Sequence, residues 1–193
     1  MSPPYPLITT ARLTLRLAAA ADAAEIVRYY RDNQAHLAPW EPRRTDAFYT
    51  TAFWQRQAAQ SRNEFLDDRA VRLFLFENAA PTRVAGAIGL GNIVRGAGQF
   101  GTLGYSLGAA WQGRGLMTEA LGAVILYAFS DLRLHRLQAN YLPRNERSAR
   151  VLRRLGFVVE GVARDYLRID GRWEDHVLTG LTNPDWAPDA EGA

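Results

Sequence analysis

Two glycines flank an arginine in Gln112-Gly113-Arg114-Gly115, at the mouth of a helix-forming run from Leu116 and Met117 to Leu121. Glycine starts helices poorly on propensity alone, so bare backbone at this point asks for a reason. The first amides of a helix have no partner inside it and carry a partial positive charge. Without side chains at 113 and 115, a pyrophosphate can approach the amides of residues 113 to 117 closely, and Arg114 adds a full charge beside them. No G-x-x-x-x-G-K-[ST] occurs, so a P-loop does not fit. A loop needing glycine only for its backbone angles has the same sequence, and local chemistry does not choose between the two.

A second group follows in "NERSARVLRRLGF", where Asn145 is placed to cap a helix carrying Arg147, Ser148 and Arg150 in its first turns. Asn and Ser at a helix start are ordinarily caps. One strand–helix unit after a pyrophosphate site, they gain a second role beside a bound cofactor. Other chemistries are thin. Cysteine is absent, which removes thiol nucleophiles, zinc thiolates and disulfides. His36, His135 and His176 are scattered without an H-E-x-x-H pattern, so no metal is expected. His135 and His176 fall in strands and read as hydrogen-bonded structural residues. "GAGQFG" (96–101) spells a dinucleotide fingerprint, but the strand-like "TLGYSL" follows it where a helix is required. It reads as a hairpin turn.

These groups need elements to hold them. "RLTLRL" (12–17) alternates as a strand, and 21–37 has helical spacing up to Pro39. A second helix is expected from about Asp46 to Arg62. Strands follow at 70–77, 83–94 and 98–107, then the helix opening at Gly113, a strand at 135–142 and the Asn145 helix ended by Gly156. Two last strands close as a hairpin across Asp170-Gly171, a pair suited to a tight turn. The order β-α-α-β-β-β-α-β-α-β-β predicts one α/β domain over 1–193 with a mixed sheet, and a frayed tail at 187–193.

The 193 residues include 48% hydrophobic and 22% charged, as in a globular chain. Neither a signal peptide nor an apolar run long enough to span a membrane is present, so a cytoplasmic protein without membrane contact is expected. All 23 basic residues are arginine, and the net charge is +3. Between Arg133 and Arg172 ten arginines face four acids (Glu146, Glu160, Asp165, Asp170), so the rest of the chain is net acidic. That surplus fits a solvated helix face, or an anionic partner such as a phosphorylated cofactor or ribosomal RNA.

Taken in order, the strand, glycine-rich helix start, strand and "N-x-x-S…LGF" helix resemble the GNAT superfamily of acetyl-CoA-dependent N-acetyltransferases. Within it, "LGYSLGAAWQGRGLMTEAL", "HRLQANYLPRNERSARVLRRLGFVVEGVARDYLRIDGRWEDHVLTGL" and "HLAPWEP" are similar to the RimJ branch of ribosomal-protein alanine N-acetyltransferases. The superfamily pattern Q/R-x-x-G-x-G/A matches Gln112 and Gly115 and departs from it at Met117, whose amide is still free to face phosphate if its side chain points away. The resemblance implies a single-domain GNAT fold, its mixed sheet splayed at the cofactor site after Tyr105-Ser106-Leu107, with helices on both faces. Acetyl-CoA would lie against Tyr105, Ser106 and Leu107, with its pyrophosphate on Gln112, Gly113, Arg114, Gly115, Leu116 and Met117 and its far side on Asn145 and Ser148. Asp165 is the implied base and Ser148 the donor to the leaving thiolate. Trp40 and Glu41, with Asn92 and Arg95, would receive the acceptor. The implied acceptor is a protein N-terminus, an N-terminal alanine of a small-subunit ribosomal protein. A small-molecule amine, or an RNA-docking role for the arginine-rich half, are the alternatives.

Overall fold

The protein, described by a computed structural model over residues 5–187, is built on one eight-stranded sheet. In chain order the elements are β1 (Leu7–Thr9), β2 (Leu13–Leu17), α1 (Ala23–Asp32), α2 (Gln34–Leu37), α3 (Thr51–Leu66), β3 (Val71–Glu77) and β4 (Ala80–Val94). Then come β5 (Phe100–Leu107), α4 (Leu116–Ser130), β6 (Arg136–Tyr141), α5 (Glu146–Arg154), β7 (Val158–Ile169) and β8 (Arg172–Thr182). The strand order is β1-β2-β3-β4-β5-β6-β8-β7, antiparallel at every pairing except β5 with β6. That parallel pair requires a crossover, which α4 supplies.

Period-two patterning assigns the faces. In β3, Val71, Leu73 and Leu75 join one core, while Phe74 and Phe76 join the other. The first core gathers Leu116, Ala120, Leu121 and Val124 of α4 and Leu152 of α5. The second packs Ile26, Tyr29 and Tyr30 of α1 and Trp54 and Ala58 of α3 around Phe48. The sheet is thus covered on both sides, as expected, which is why β3 reads as a nearly unbroken apolar run.

The parallel pairing runs from Phe100↔Arg136 to Leu103↔Ala139 and stops there. β5 nonetheless continues to Leu107, still paired with Gly86 of β4, and β6 continues to Tyr141, still paired with Val177 of β8. A wedge opens between two strands that are each held on their outer side. The expected splay is present, but it begins at Gly104, inside the strand, rather than after Leu107.

Other boundaries differ for local reasons. The helix expected over 21–37 breaks at Asn33, whose side-chain amide donates to Tyr29 O (2.8 Å) and accepts from Ala109 N (2.8 Å). The second helix opens as a 3-10 turn at Asp46–Tyr49, restarts where Thr50 Oγ1 accepts from Phe53 N, and runs on to Leu66. "GAGQFG" is the β4–β5 connection, as read. The Asp170-Gly171 turn has φ of +44° and +83°, the left-handed pair that a two-residue hairpin requires. Of the tail expected to fray, residues 188–193 lie outside the described residues. Among the described residues, no helix is long and apolar enough to cross a membrane.

The second core depends on Trp54. Its ring stacks on Tyr30 at 5.2 Å, meets Phe48, Phe53 and Phe74 edge-on, and donates Nε1–H to Phe48 O at 2.8 Å. Trp54→Ala is expected to cost about 3–5 kcal/mol. Urea unfolding is the check: the midpoint falls while the slope is unchanged.

Candidate active site

The wedge between β5 and β6 is part of a cleft of about 1720 Å³ that reaches both faces of the sheet. Its three regions come from different elements, and side-chain alternation along β5 and β6 decides which residue faces where.

On the α4/α5 side, Tyr105 projects toward the helix that follows β6. Its hydroxyl lies 2.6 Å from Ser148 Oγ in the first turn of α5. Ser148 is set there because Asn145 Oδ1 accepts from Ser148 N (3.1 Å) and caps the helix. Burial pushes the Tyr105 phenol up to about 12, so it remains protonated across the neutral range.

On the α1/α3 side, the floor is bare. Gly89 of β4 sits directly opposite Gly104 of β5, and Gly91 opposite Thr102. A Cβ at Gly89, Gly91 or Gly104 would meet nothing within 4 Å. Ser106 shares this face, its Oγ 3.1 Å from the Tyr29 hydroxyl. Trp40 and Glu41 close one wall. Arg144 reaches over the Trp40 ring (5.7 Å), donates to Pro39 O and pairs with Glu174 (2.9 Å), while Glu41 pairs with Arg44 at 3.1 Å.

The third region is the turn before α4. Gly113 and Gly115 have φ of +73° and +75°, which side-chain-bearing residues adopt at a cost. A Cβ at Gly113 would point into open space. The first backbone hydrogen bond of α4 is Glu119 N to Gly115 O, so among the described residues the amides of 113 to 118 have no backbone acceptor. Gln112 bridges outward: Arg147 donates to its Oε1, and its Nε2 lies 2.9 Å from His36 Nε2. The turn is anchored from behind. Arg12 donates to Arg114 O (2.8 Å) and pairs with Glu119, which also accepts from Thr10 Oγ1 and Arg12 N.

Of the residues expected at the site, Tyr105, Ser106, Leu107, Gln112, Gly113, Gly115, Leu116, Met117, Asn145, Ser148, Trp40, Glu41 and Asn92 all border this cleft. Three do not. The Arg114 side chain turns away to Glu77 (3.0 Å), and Arg95 is held by Asp68 and Leu132 O. Asp165 is exposed on a bulge of β7 at φ +45°, its amide bound by the Asp175 carboxylate. Sequence reasoning missed the glycine floor, although Gly89 and Gly91 two apart in a strand already share a face. It named Tyr105 for its backbone and not its hydroxyl. His36, given no role from the sequence, and His176, expected only as a structural residue, also border the cleft. Among the described residues, no three or more His, Asp or Glu gather to hold a metal ion.

The acetyltransferase (GNAT) domain family model matches residues 12–158. The chain belongs to the GNAT acetyltransferases. Over 181 residues this acetyltransferase is 44% identical to the ribosomal protein uS5-alanine N-acetyltransferase of Escherichia coli, covering 94% of this chain and 93% of that one. The ribosomal-protein-S5-alanine acetyltransferase of Vibrio fischeri superposes with a TM-score of 0.90 at 39% identity, over 95% of this chain and all of that one. Mycobacterium smegmatis RimJ, solved in complex with CoA-disulfide, gives 0.82 at 30% identity over 92% and 85%. Much of the GNAT chain's arginine surplus is used internally: Arg136 pairs with Glu160, Arg144 with Glu174, Arg150 with Glu146 and Arg147 with Gln112. Neither these pairings nor the relatives support an RNA contact.

The anchor behind the turn carries a pH signature. Burial alone would raise the Glu119 carboxyl, but hydrogen bonds from Thr10 and Arg12 and the Arg12 charge outweigh it and hold it below the usual carboxylate range. A group depressed in the folded state stabilises fully above its unfolded value and loses that contribution as pH falls through its folded one. Glu119→Gln should therefore flatten the acid limb of stability and cost roughly 1 kcal/mol at neutral pH. Urea midpoints at a series of pH values test this; parallel curves for the two proteins would reject it.

Proposed function

We propose that this GNAT enzyme transfers acetyl from acetyl-CoA to the α-amine of a protein N-terminus. On this reading the acceptor is the N-terminal alanine of ribosomal protein uS5; two relatives carry S5 and alanine in their names. The observation that carries it is the two-sided cleft: one opening joins a glycine-floored trough to the Tyr105–Ser148 pair across the sheet. A trough without side chains at Gly89, Gly91 and Gly104 suits an extended chain end, which needs backbone-width room.

The residues fit the cofactor. Two left-handed glycines and the unpaired amides of 113 to 118 form a concave anion site, and the outward backbone of Tyr105, Ser106 and Leu107 has no strand beside it. Gln112, Leu116 and Met117 complete that turn, and Asn145 and Ser148 flank it; Arg114 contributes its backbone. When bound, acetyl-CoA supplies an activated acetyl thioester. The protein's own work is placement: holding a neutral amine against the acyl carbon accounts for much of the acceleration. An α-amine has a pKa of about 7.7–8.0 against about 10.4 for lysine, so it needs little help to lose its proton. Ser148 donates to the departing thiolate, and the Tyr105 phenol, 2.6 Å away, fixes the direction of that donation. Trp40 and Glu41 receive the incoming amine, with Asn92 at the far end of the trough. Asp165 and Arg95, outside the cleft lining, have no part in this reading.

Incubation with acetyl-CoA and uS5 followed by mass spectrometry should find one acetyl on the N-terminal alanine; acetyl on lysine side chains or none at all would overturn the proposal. Ser148→Ala should lower kcat by about 10²-fold, a larger factor than its effect on acetyl-CoA affinity. Tyr105→Phe, which keeps the ring, should lower kcat by roughly tenfold and add little in the Ser148→Ala background. For the turn, Gly115→Glu brings a side chain to a left-handed position and a negative charge to the anion site. Calorimetry should then detect no acetyl-CoA binding, and unchanged affinity would refute the pyrophosphate assignment.

A further inference from the structure

His176 is 96% removed from solvent, being only 4% exposed, and yet it borders the cleft. Its Nδ1 lies 2.9 Å from Glu174 O. A carbonyl oxygen only accepts, so Nδ1 carries the proton, and in the neutral ring Nε2 is a bare acceptor. Every fully buried side-chain nitrogen or oxygen among the described residues has a partner. Nε2 has none, so the small part of the ring left accessible includes it. This is a held imidazole with one nitrogen left open, in a residue that borders the cavity.

Register fixes its position. Tyr141 pairs with Val177 and Asn140 with Leu178, so His176 stands one residue beyond the last pair, where β6 ends and the chain turns toward α5. The side chain of Leu178 shares a face with Asn140 opposite it, and His176, two residues away, shares that face too. This is the α1/α3 side, the side of the glycine floor. Tyr105 and Ser148 are on the other. The Tyr166 ring, 5.7 Å away, flanks the imidazole, with its hydroxyl 3.5 Å from Asn140 Nδ2.

We propose that His176 accepts the proton of the incoming α-ammonium at Nε2, directly or through one water. This rests on the reading that the cleft acetylates an N-terminal amine. The proton count gives such a group a task. An α-ammonium that becomes an amide loses two protons. The first leaves before attack, to Nε2 and then to solvent. The second leaves to water as the C–N bond forms and the C–S bond breaks, while Ser148 gives its hydroxyl proton to sulfur and regains one from solvent. A proton acceptor on the amine's face and a donor on the thiolate's face satisfy both steps without one group serving each. Of the titratable or charged groups on this side, Tyr166 of β7 flanks the imidazole and Glu174, whose carboxylate pairs with Arg144, is two residues away on its own strand; Arg168 of β7 and the Glu41–Arg44 pair after α2 border the same cleft.

His176→Asn keeps a donor for Glu174 O and removes Nε2. With an N-terminal-alanine peptide, kcat/KM should fall about 10²-fold near neutral pH. The deficit should shrink as pH rises past about 8, where the α-amine is already neutral. Acetyl-CoA affinity by calorimetry should not change. A loss equal at every pH, or no loss, would overturn the proposal. On the unaltered protein, nitrogen-15 NMR should report the Nδ1–H tautomer and a His176 shift on adding the free peptide but not its N-acetylated form. An Nε2–H tautomer, or no shift, would also overturn it. If no peptide is acetylated while the tautomer and calorimetry are as described, the acceptor assignment fails; if acetylation persists in His176→Asn with an unaltered pH profile, the base assignment fails.

Discussion

Parallel pairing between β5 and β6 ends at Leu103 and Ala139, and the rest of the site follows from that interruption. Backbone groups facing a gap must find partners in water or a ligand, because leaving them buried and unpaired is costly. The gap is sustained because neither strand depends on the other for its shape. β4 holds β5 through Leu107 and β8 holds β6 through Tyr141, so both stay extended after they part. The opening also makes the two faces of the sheet continuous with one another. In an unbroken sheet the trough over Gly89 and Gly104 and the hydroxyl pair beneath it would be separated by a strand.

The turn before α4 shows how a surface made of backbone is kept in shape. Amides can face an anion only if the peptide planes carrying them are fixed, and left-handed glycines alone do not fix them. Here the rigidity comes from the far side. Arg12 holds the Arg114 carbonyl and the Glu119 carboxylate together, and Arg114 itself pairs with Glu77 on β3. The consequence for charge is that Arg114, the obvious cation by sequence, is committed to structure. Arg147, reaching Gln112 from α5, and Arg12, behind the turn, are cations beside it.

What could be read from the sequence was whatever depends on local spacing. Alternation gave the strands, Asp170-Gly171 gave the hairpin, and Asn145 and Gly156 bounded α5. The GNAT motifs located the turn and the Ser148 helix. What could not be read depends on pairing between distant segments. Asn33 breaks a helix because it meets Ala109 N, 76 residues on. Asp165 leaves the cleft because a bulge in β7 resets its register against β8, and a bulge has no dependable one-residue signature. His176 was read as structural, correctly for Nδ1. Its other nitrogen has no hydrogen-bond partner among the described residues.

The same alternation that sorts the core also sorts the proton chemistry. Consecutive residues of a strand point to opposite faces, so Tyr105 and Ser106 cannot serve the same side of the cleft. Ser106 lies with Tyr29 above the sheet and Tyr105 with Ser148 below it. A phenol raised to about 12 by burial is a poor acceptor of protons at neutral pH but a steady donor. It suits the side where a thiolate must be protonated, and not the side where an ammonium must lose a proton. On the proposed reading a group of the opposite character serves above the sheet, and an imidazole with an open nitrogen has that character. Keeping the two on separate faces also prevents them from neutralising each other: a hydrogen bond between the bare nitrogen and the phenol would satisfy both and leave neither for the reacting groups.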